Sequence, residues 1–406
     1  MFFVRSIKLV FLQRKRKSGL KVVARAFRID RLARPLLYVL VVALCAAGLA
    51  AAHGSRIVDN WRVLQWEDGF FFQHNAEQIH SLLDCFVKTG PWEGLYRPLT
   101  TNLYYYVGSK ALANRAEAYH FINLVFVILN AVLLFRLAEL FLGPWWAMIP
   151  AVLFASRLAM VEVVLHTCEF QGLLYVFFTI LSVDLFVRSR KSESSWPLTL
   201  SALAFCLALL SKESAIVLPA LLIVYGRLFD DRIVSRRYLV HPIIAISWVI
   251  LFVLVAPSHT QSTRLTYDLS ASNVLRNYAA HFLDFSNWLL APLQDFIMPG
   301  NVAALAGTLY VRLLFGVLIM SEIAMLLFPR FLKAQGLRLV AFGFAWFLIA
   351  TLPFAIFENR LFMRYSYLGH AGLALCVAGL VAGAIRLFGT RHPVALPQVS
   401  ETAYVT

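Results

Sequence analysis

Apolar runs recur along the chain near residues 35–52, 118–139, 144–161, 170–187, 197–211, 214–228, 240–256, 308–327, 339–356 and 366–385. Runs of this kind read as helices that cross a bilayer, whose hydrocarbon core takes about 20 apolar residues. Two further stretches, 97–112 and 276–297, mix apolar with polar positions and read as partial or interfacial helices. The pattern predicts an all-α fold, a polytopic transmembrane helical bundle with about ten full crossings plus two partial or interfacial helices.

Composition agrees. The chain has 406 residues, 60% of them apolar and 15% charged, with a mean hydropathy of +0.72. These values exclude a soluble enzyme, a disordered chain and a collagen- or repeat-like architecture. No polar stretch is long enough to fold as a separate soluble domain. The net charge of +15 would suggest nucleic acid in a soluble protein, but its placement points to a membrane. Residues 1–34 hold eleven Lys or Arg and a single acid, Asp30. Interleaved with Phe2, Phe3, Ile7, Phe11 and Leu12, they read as a basic cytoplasmic segment at an anionic lipid surface. Ala50-Ala51-Ala52 follows an apolar core as at a signal cleavage site, yet 34 residues is too long for the charged region of such a peptide, so the first helix is read as retained.

The positive-inside rule then sets the topology. Ten crossings leave 24 of the 37 Lys and Arg on cytoplasmic pieces. Counting 97–112 as a further crossing spoils that asymmetry. The expected organisation is a basic segment at 1–34, a membrane domain at 35–385 with exoplasmic loops 53–117 and 257–307, and a cytoplasmic tail at 386–406. Cys45, Cys206 and Cys376 lie in predicted spans, which leaves Cys85 and Cys168 as a candidate exoplasmic pair.

The ionisable residues hardest to explain structurally collect on the exoplasmic side. Charges at membrane depth are costly and normally line a cavity or a substrate path. Glu67-Asp68, between Trp66 and Phe70, suits a pair with one raised and one ionised carboxyl, and equally suits the cap of a helix over 70–87. Arg97, before Pro98, suits bidentate phosphate binding or interfacial snorkelling. Glu162, His166 and Glu169 would share one face of a continuous helix, a weak metal set, with Arg157 as their counter-ion. Lys212-Glu213 breaks two apolar runs at a tight turn, where an ammonium could meet a phosphodiester leaving group. Glu358 and Arg360 form a second short turn, offering carboxylate plus guanidinium or a plain surface ion pair. Walker, dinucleotide, zinc and nucleophile-elbow motifs are absent. An enzyme on the far side of the membrane has no nucleotide supply and would draw its activated group from a lipid carrier.

The order of these elements resembles a known family. Glu67-Asp68, Arg97-Pro98-Leu99, His120 with Asn123, Phe154-Ala155 with Glu162, Lys212-Glu213-Ser214-Ala215-Ile216 with Pro219, and Glu358 with Arg360 are together similar to the GT-C superfamily of polytopic glycosyltransferases, nearest to its protein O-mannosyltransferase-like branch. The likeness runs from about 60 to 375. It departs at Glu67, where the family has Asp, and at Arg157-Leu158-Ala159-Met160, which replaces a His-Pro-x-His. It departs also at Gly172, near the place of an expected acid, and no tetratricopeptide repeats follow residue 385.

The resemblance implies an inverting transfer of a hexose or pentose from a polyprenyl-phosphate donor to an acceptor hydroxyl on the exoplasmic face. Asp68 would be the general base, tuned by Glu67. Arg97, Lys212 and Arg360 would bind the donor phosphate. Glu162, Glu169, Glu213 and Glu358 would hold substrate hydroxyls. No metal or other cofactor is required in such a reaction. The implied partners are the lipid-linked sugar, a glycan, lipid or protein acceptor, and membrane lipid, with no nucleic acid. The expected location is a bacterial inner membrane with both termini cytoplasmic. The competing classes are a transporter or flippase of lipid-linked sugar and a non-catalytic glycan-assembly factor.

Overall fold

A computed structural model describes residues 35–90, 96–113, 115–157, 159–230, 235–255, 267–289, 308–329, 332, 334–358 and 363–388. Among them the protein is helical, with one isolated β-bridge pairing Tyr267 and Phe357. The helices are α1 (Pro35–Asp59), α2 (Trp66–Gln78), α3 (Asp84–Val87), α4 (Tyr104–Leu112), α5 (Ala116–Leu142), α6 (Pro144–Ala155), α7 (Ala159–Leu165), α8 (Phe170–Lys191), α9 (Trp196–Ser211), α10 (Leu218–Phe229), α11 (Val240–Val255), α12 (Ala271–Leu289), α13 (Leu309–Leu327), α14 (Gln335–Ala355) and α15 (Tyr367–Phe388).

Each predicted crossing falls on helix, but the run 144–161 divides between α6 and α7, and 214–228 opens with a 3-10 turn, Glu213–Val217. Seven are long and apolar enough to span a membrane, and α6 and α9 are shorter apolar helices. The run 97–112 folds as a π-helical turn, Pro98–Leu103, leading into α4. The second amphipathic stretch becomes α12, which starts five residues earlier than expected. Helix α1 also runs on past residue 52 to Asp59, into the expected first loop.

Backbone pairs its hydrogen bonds inside each helix, so helices are held together in lipid by close packing and buried polar bridges. Both occur here. Helices α14 and α15 meet through glycines: a Cβ on Gly343 would strike the Gly372 carbonyl and lie 2.7 Å from the Cys376 nitrogen, and one on Gly336 would lie 2.9 Å from the Gly379 carbonyl. Helices α8, α9 and α11 share a polar bridge. Ser182 Oγ donates to the Ser201 carbonyl at 2.8 Å, Ser201 Oγ returns to the Ser182 carbonyl at 2.7 Å, and His241 Nε2 stands 3.0 Å from Ser201 Oγ. Apolar side chains on α11 and α13, among them Ile246, Leu254, Leu313 and Val317, stay exposed and form a surface suited to acyl chains.

The two ends of the bundle carry different chemistry. At one end Asp184 pairs with Arg136 and Arg188, and Arg190 with Asp230. At the other end lie the turns that join α6 to α8, α9 to α10 and α14 to α15, covered by α2, the π-helical turn and α12. Residues 1–34, 290–307 and 389–406 lie outside the described residues, so the basic segment, part of the second loop and most of the tail do too.

Candidate active site

The acidic pair opens α2, and its two members are used differently. Asp68 is fully buried. Its Oδ2 accepts from the Gln65 amide at 3.1 Å, which closes the helix start, and its Oδ1 accepts from the Cys168 amide 100 residues away at 2.9 Å. It therefore fastens α2 to the turn before α8. Glu67 turns the other way and takes both its oxygens to Arg364 Nη2, at 3.2 and 3.0 Å. The Arg364 Nε stands 3.1 Å from Glu169 Oε1, so one guanidinium joins carboxylates from α2 and from the start of α8.

The expected single helix from Glu162 to Glu169 is broken. Helix α7 ends at Leu165, His166 is extended, and Thr167–Glu169 makes a separate 3-10 turn. Asn123 of α5 compels the break by donating to the Val163, Val164 and His166 carbonyls at 2.9–3.2 Å. His166 Nδ1 then contacts the Glu162 carbonyl at 2.9 Å rather than aligning with the carboxylates. Glu162 Oε2 is buried without a hydrogen-bond partner. Burial pushes this carboxyl above the usual range, against the pull of Arg364 and His166. Among the described residues no three His, Cys, Asp or Glu side chains converge as metal ligands. Cys85 and Cys168 are both free.

Arg97 heads the π-helical turn and is drawn inward. Its Nε donates to Glu213 Oε2 at 2.5 Å, Nη2 donates to Glu213 Oε1, and Nη1 donates to Gln171. Burial alone would raise the Glu213 pKa, since it disfavours the charge, yet the Arg97 guanidinium outweighs it and holds the carboxyl below its ordinary value. Thr100 Oγ1 reaches the Ser211 carbonyl at 2.7 Å and so anchors the turn that carries Lys212.

Lys212 is the cation that this network leaves over. Only 4% exposed, it makes no ion pair with a carboxylate among the described residues. Its Nζ lies 5.4–5.6 Å from the ring centroids of Tyr175, Phe354 and Tyr365, within cation–π range. Desolvation lowers its pKa to about 8, with Glu169 pulling the other way.

Six of the nine residues expected at the site thus meet in one network: Glu67, Asp68, Arg97, Glu169, Lys212 and Glu213. Glu162 lies within electrostatic reach of Glu67, Glu169 and Arg364. Glu358 stands exposed, its carbonyl taken by Arg276 Nη2 at 2.7 Å, and Arg360 lies outside the described residues. The sequence reading missed Arg364 and Gln171. Arg364 follows the Glu358 turn within six positions, and Gln171 follows Glu169 by two, so both sat beside residues already singled out. Aromatic side chains at this end serve packing: Phe71 stacks on Tyr105 with centroids 5.3 Å apart, and Tyr96 is buried.

Residues 98–260 match the family model of dolichyl-phosphate-mannose-protein mannosyltransferases. The likeness drawn from the order of motifs is thereby shown. Over those 163 of its 406 residues the chain is similar to transferases that move mannose from dolichyl phosphate to protein, which supports a membrane glycosyltransferase that takes its sugar from a lipid phosphate. The matched segment contains Glu162, Glu169, Lys212 and Glu213 and begins one residue after Arg97. No curated protein and no solved structure matches the chain.

Proposed function

We propose that the protein transfers one sugar, with inversion, from a polyprenyl monophosphate carrier to an acceptor hydroxyl on the exoplasmic side of a bacterial inner membrane. The observation that carries this reading is Lys212, a buried ammonium with no ion-paired carboxylate among the described residues, ringed by aromatic faces and within electrostatic reach of Glu169 and Glu213. An unneutralised buried charge is expensive, and a donor phosphate would supply the missing anion. Arg97 already has Glu213 as its counter-ion, so its part is to stiffen the lysine turn.

In the transfer the acceptor oxygen attacks the anomeric carbon as the bond from that carbon to the phosphate oxygen breaks. The electron pair leaves on the phosphate, where Lys212 meets the growing charge. The acceptor proton passes to a carboxylate. Both Asp68 oxygens are held by backbone amides, whereas Glu162 has a free oxygen and a raised pKa, the properties of a general base near neutral pH. We therefore assign the proton to Glu162, the placing of α2 to Asp68, and the binding of sugar hydroxyls to Glu67 and Glu169. This scheme uses no metal.

The test is mass spectrometry of surface glycans, lipids and exported proteins from cells carrying the wild type, a deletion, Glu162→Gln or Lys212→Gln. One sugar-sized increment should vanish in the deletion and fall in both variants. The expected losses are about 10²–10⁴-fold for the base and about 10²–10³-fold for the charge contact. An increment kept at wild-type level by both variants, with purified protein idle on a polyprenyl-phosphate sugar, would sink the assignment.

A further inference from the structure

A second buried cation acts on Asp284, a carboxylate that is itself within electrostatic reach of Glu162. Arg157, in the turn between α6 and α7, is 2% exposed, and none of its three guanidinium nitrogens has a hydrogen-bond partner. The turn itself is firmly placed: His53 Nε2 of α1 contacts the Ser156 carbonyl at 3.0 Å, and the Met160 amide caps the Arg157 carbonyl at 3.0 Å. What faces the guanidinium is sparse. The Phe154 ring centroid lies 5.7 Å from its Cζ, and Asp284 of α12 and Tyr367 of α15 act on it electrostatically. Asp284 is in turn 3.8 Å from His370 Nε2 of α15 and within reach of the Glu162 charge. His281, one helical turn before Asp284, has its Nε2 buried and unpartnered as well. Orphaned polar atoms of Arg157 and His281 thus gather around Asp284, which lies within electrostatic reach of Glu162.

A guanidinium carries five N–H donors in a flat fork, and its natural partner is an oxyanion. Desolvation without hydrogen bonds depresses the Arg157 pKa to about 10 and raises that of Asp284 to about 6, the marks of a site that does not satisfy its own charges. An in-line displacement puts the departing phosphate and the attacking hydroxyl on opposite sides of the anomeric carbon. Lys212 and Arg157, two buried cations without a hydrogen-bonded carboxylate, face different acids: Glu169 and Glu213 act on Lys212, and Asp284 acts on Arg157. We propose that Arg157 is an anion-binding subsite for the acceptor, which carries a phosphate or carboxylate close to the hydroxyl that is glycosylated. The inference rests on the donor reading for Lys212, and it narrows the acceptor to an acidic molecule.

The geometry also gives a pH signature. Asp284 competes with the acceptor anion for Arg157. As pH falls through about 6 Asp284 gains a proton, the competing charge goes, and the anion binds more tightly. Glu162 reinforces the trend as it protonates. His281, whose pKa burial lowers to about 4, gains charge at still lower pH and in the same direction.

Calorimetric titration of the full-length protein in nanodiscs tests this, with farnesyl monophosphate as the donor-lipid probe. Inorganic sulfate serves as the acceptor-anion probe because its charge is constant over this range. Sulfate should bind one-to-one after farnesyl phosphate has saturated its site. Arg157→Lys, which keeps the charge but loses the fork, should weaken sulfate at least about tenfold and leave farnesyl phosphate unchanged. Asp284→Asn should tighten sulfate and flatten its pH dependence. Acetate in place of sulfate separates a carboxylate-bearing from a phosphate-bearing acceptor. The proposal is overturned if sulfate does not bind beside farnesyl phosphate, or if Arg157→Lys loses farnesyl phosphate instead. If farnesyl phosphate fails to bind the wild type while sulfate binds through Arg157, the donor reading falls and the anion subsite stands.

Discussion

Single side chains decide what the turns at the carboxylate-rich end can do, and two of them make opposed predictions. Asp68 and Glu67 are neighbours in sequence, yet the first serves the backbone and the second serves an arginine. Asp68→Asn keeps one acceptor oxygen and places an amide where a second backbone N–H must be met. It should therefore cost about 1–3 kcal/mol of stability through an unsatisfied buried group, seen as a lower melting temperature in detergent along with reduced turnover. Loss of turnover with an unchanged melting temperature would instead make Asp68 the base and relieve Glu162 of that role. Lys212 predicts a pH effect. Its ammonium persists below about pH 8 and loses its proton above that value, so kcat/KM for the donor should fall with a slope approaching one as pH rises past 8. Lys212→Arg, whose guanidinium stays charged, should move that limb upward. An initial-rate profile on a lipid-linked donor reads both.

At the scale of elements, the hydrophobic pattern carries most of the fold. All ten apolar runs fall on helices, because an apolar stretch in lipid satisfies its backbone best by bonding within itself. The misreadings share a cause: a distant side chain overrides local periodicity. The heptad from Glu162 to Glu169 looks like one helix until Asn123, some forty residues earlier, takes three of its carbonyls. Arg364 reaches Glu67 across 297 positions and no spacing rule could pair them. The lysine cage likewise draws its rings from α8, α14 and the turn before α15. Motif order, by contrast, was legible, since the turns that bear Arg97, Glu169 and Lys212 are brought together by the short connections between antiparallel helices. The α14–α15 contact supports Arg364 at the end of that pair, and it offers a check on the packing. Gly343→Ala places a methyl against the Gly372 carbonyl and the Cys376 nitrogen, both backbone atoms that cannot swing aside. It should destabilise by about 1–3 kcal/mol, the usual cost of overpacking, with a measurable drop in thermal unfolding. Gly316→Ala, with nothing near its Cβ, is the matched control and should not lower it.

The whole molecule is polarised, and its orientation decides where the sugar goes. Among the described residues, Arg136, Arg188, Arg190, Lys191 and Arg227 gather at one end, while Glu67, Glu162, Glu169 and Lys212 gather at the other. The positive-inside rule predicts that such an end stays in the cytoplasm, which would turn the carboxylates and Lys212 outward. The argument for a lipid-linked donor depends on that orientation, since a site open to the cytosol could use nucleotide sugars directly. Ser81, between α2 and α3, and Ser194, between α8 and α9, are exposed at the two ends. In a version freed of its five cysteines, Ser81→Cys should react with a membrane-impermeant maleimide in spheroplasts. Ser194→Cys should react only after the membrane is opened. The reverse pattern would turn the site to the cytosol and remove the physical reason for a polyprenyl carrier, while leaving the buried, unpaired Lys212 and Arg157 still in need of anions.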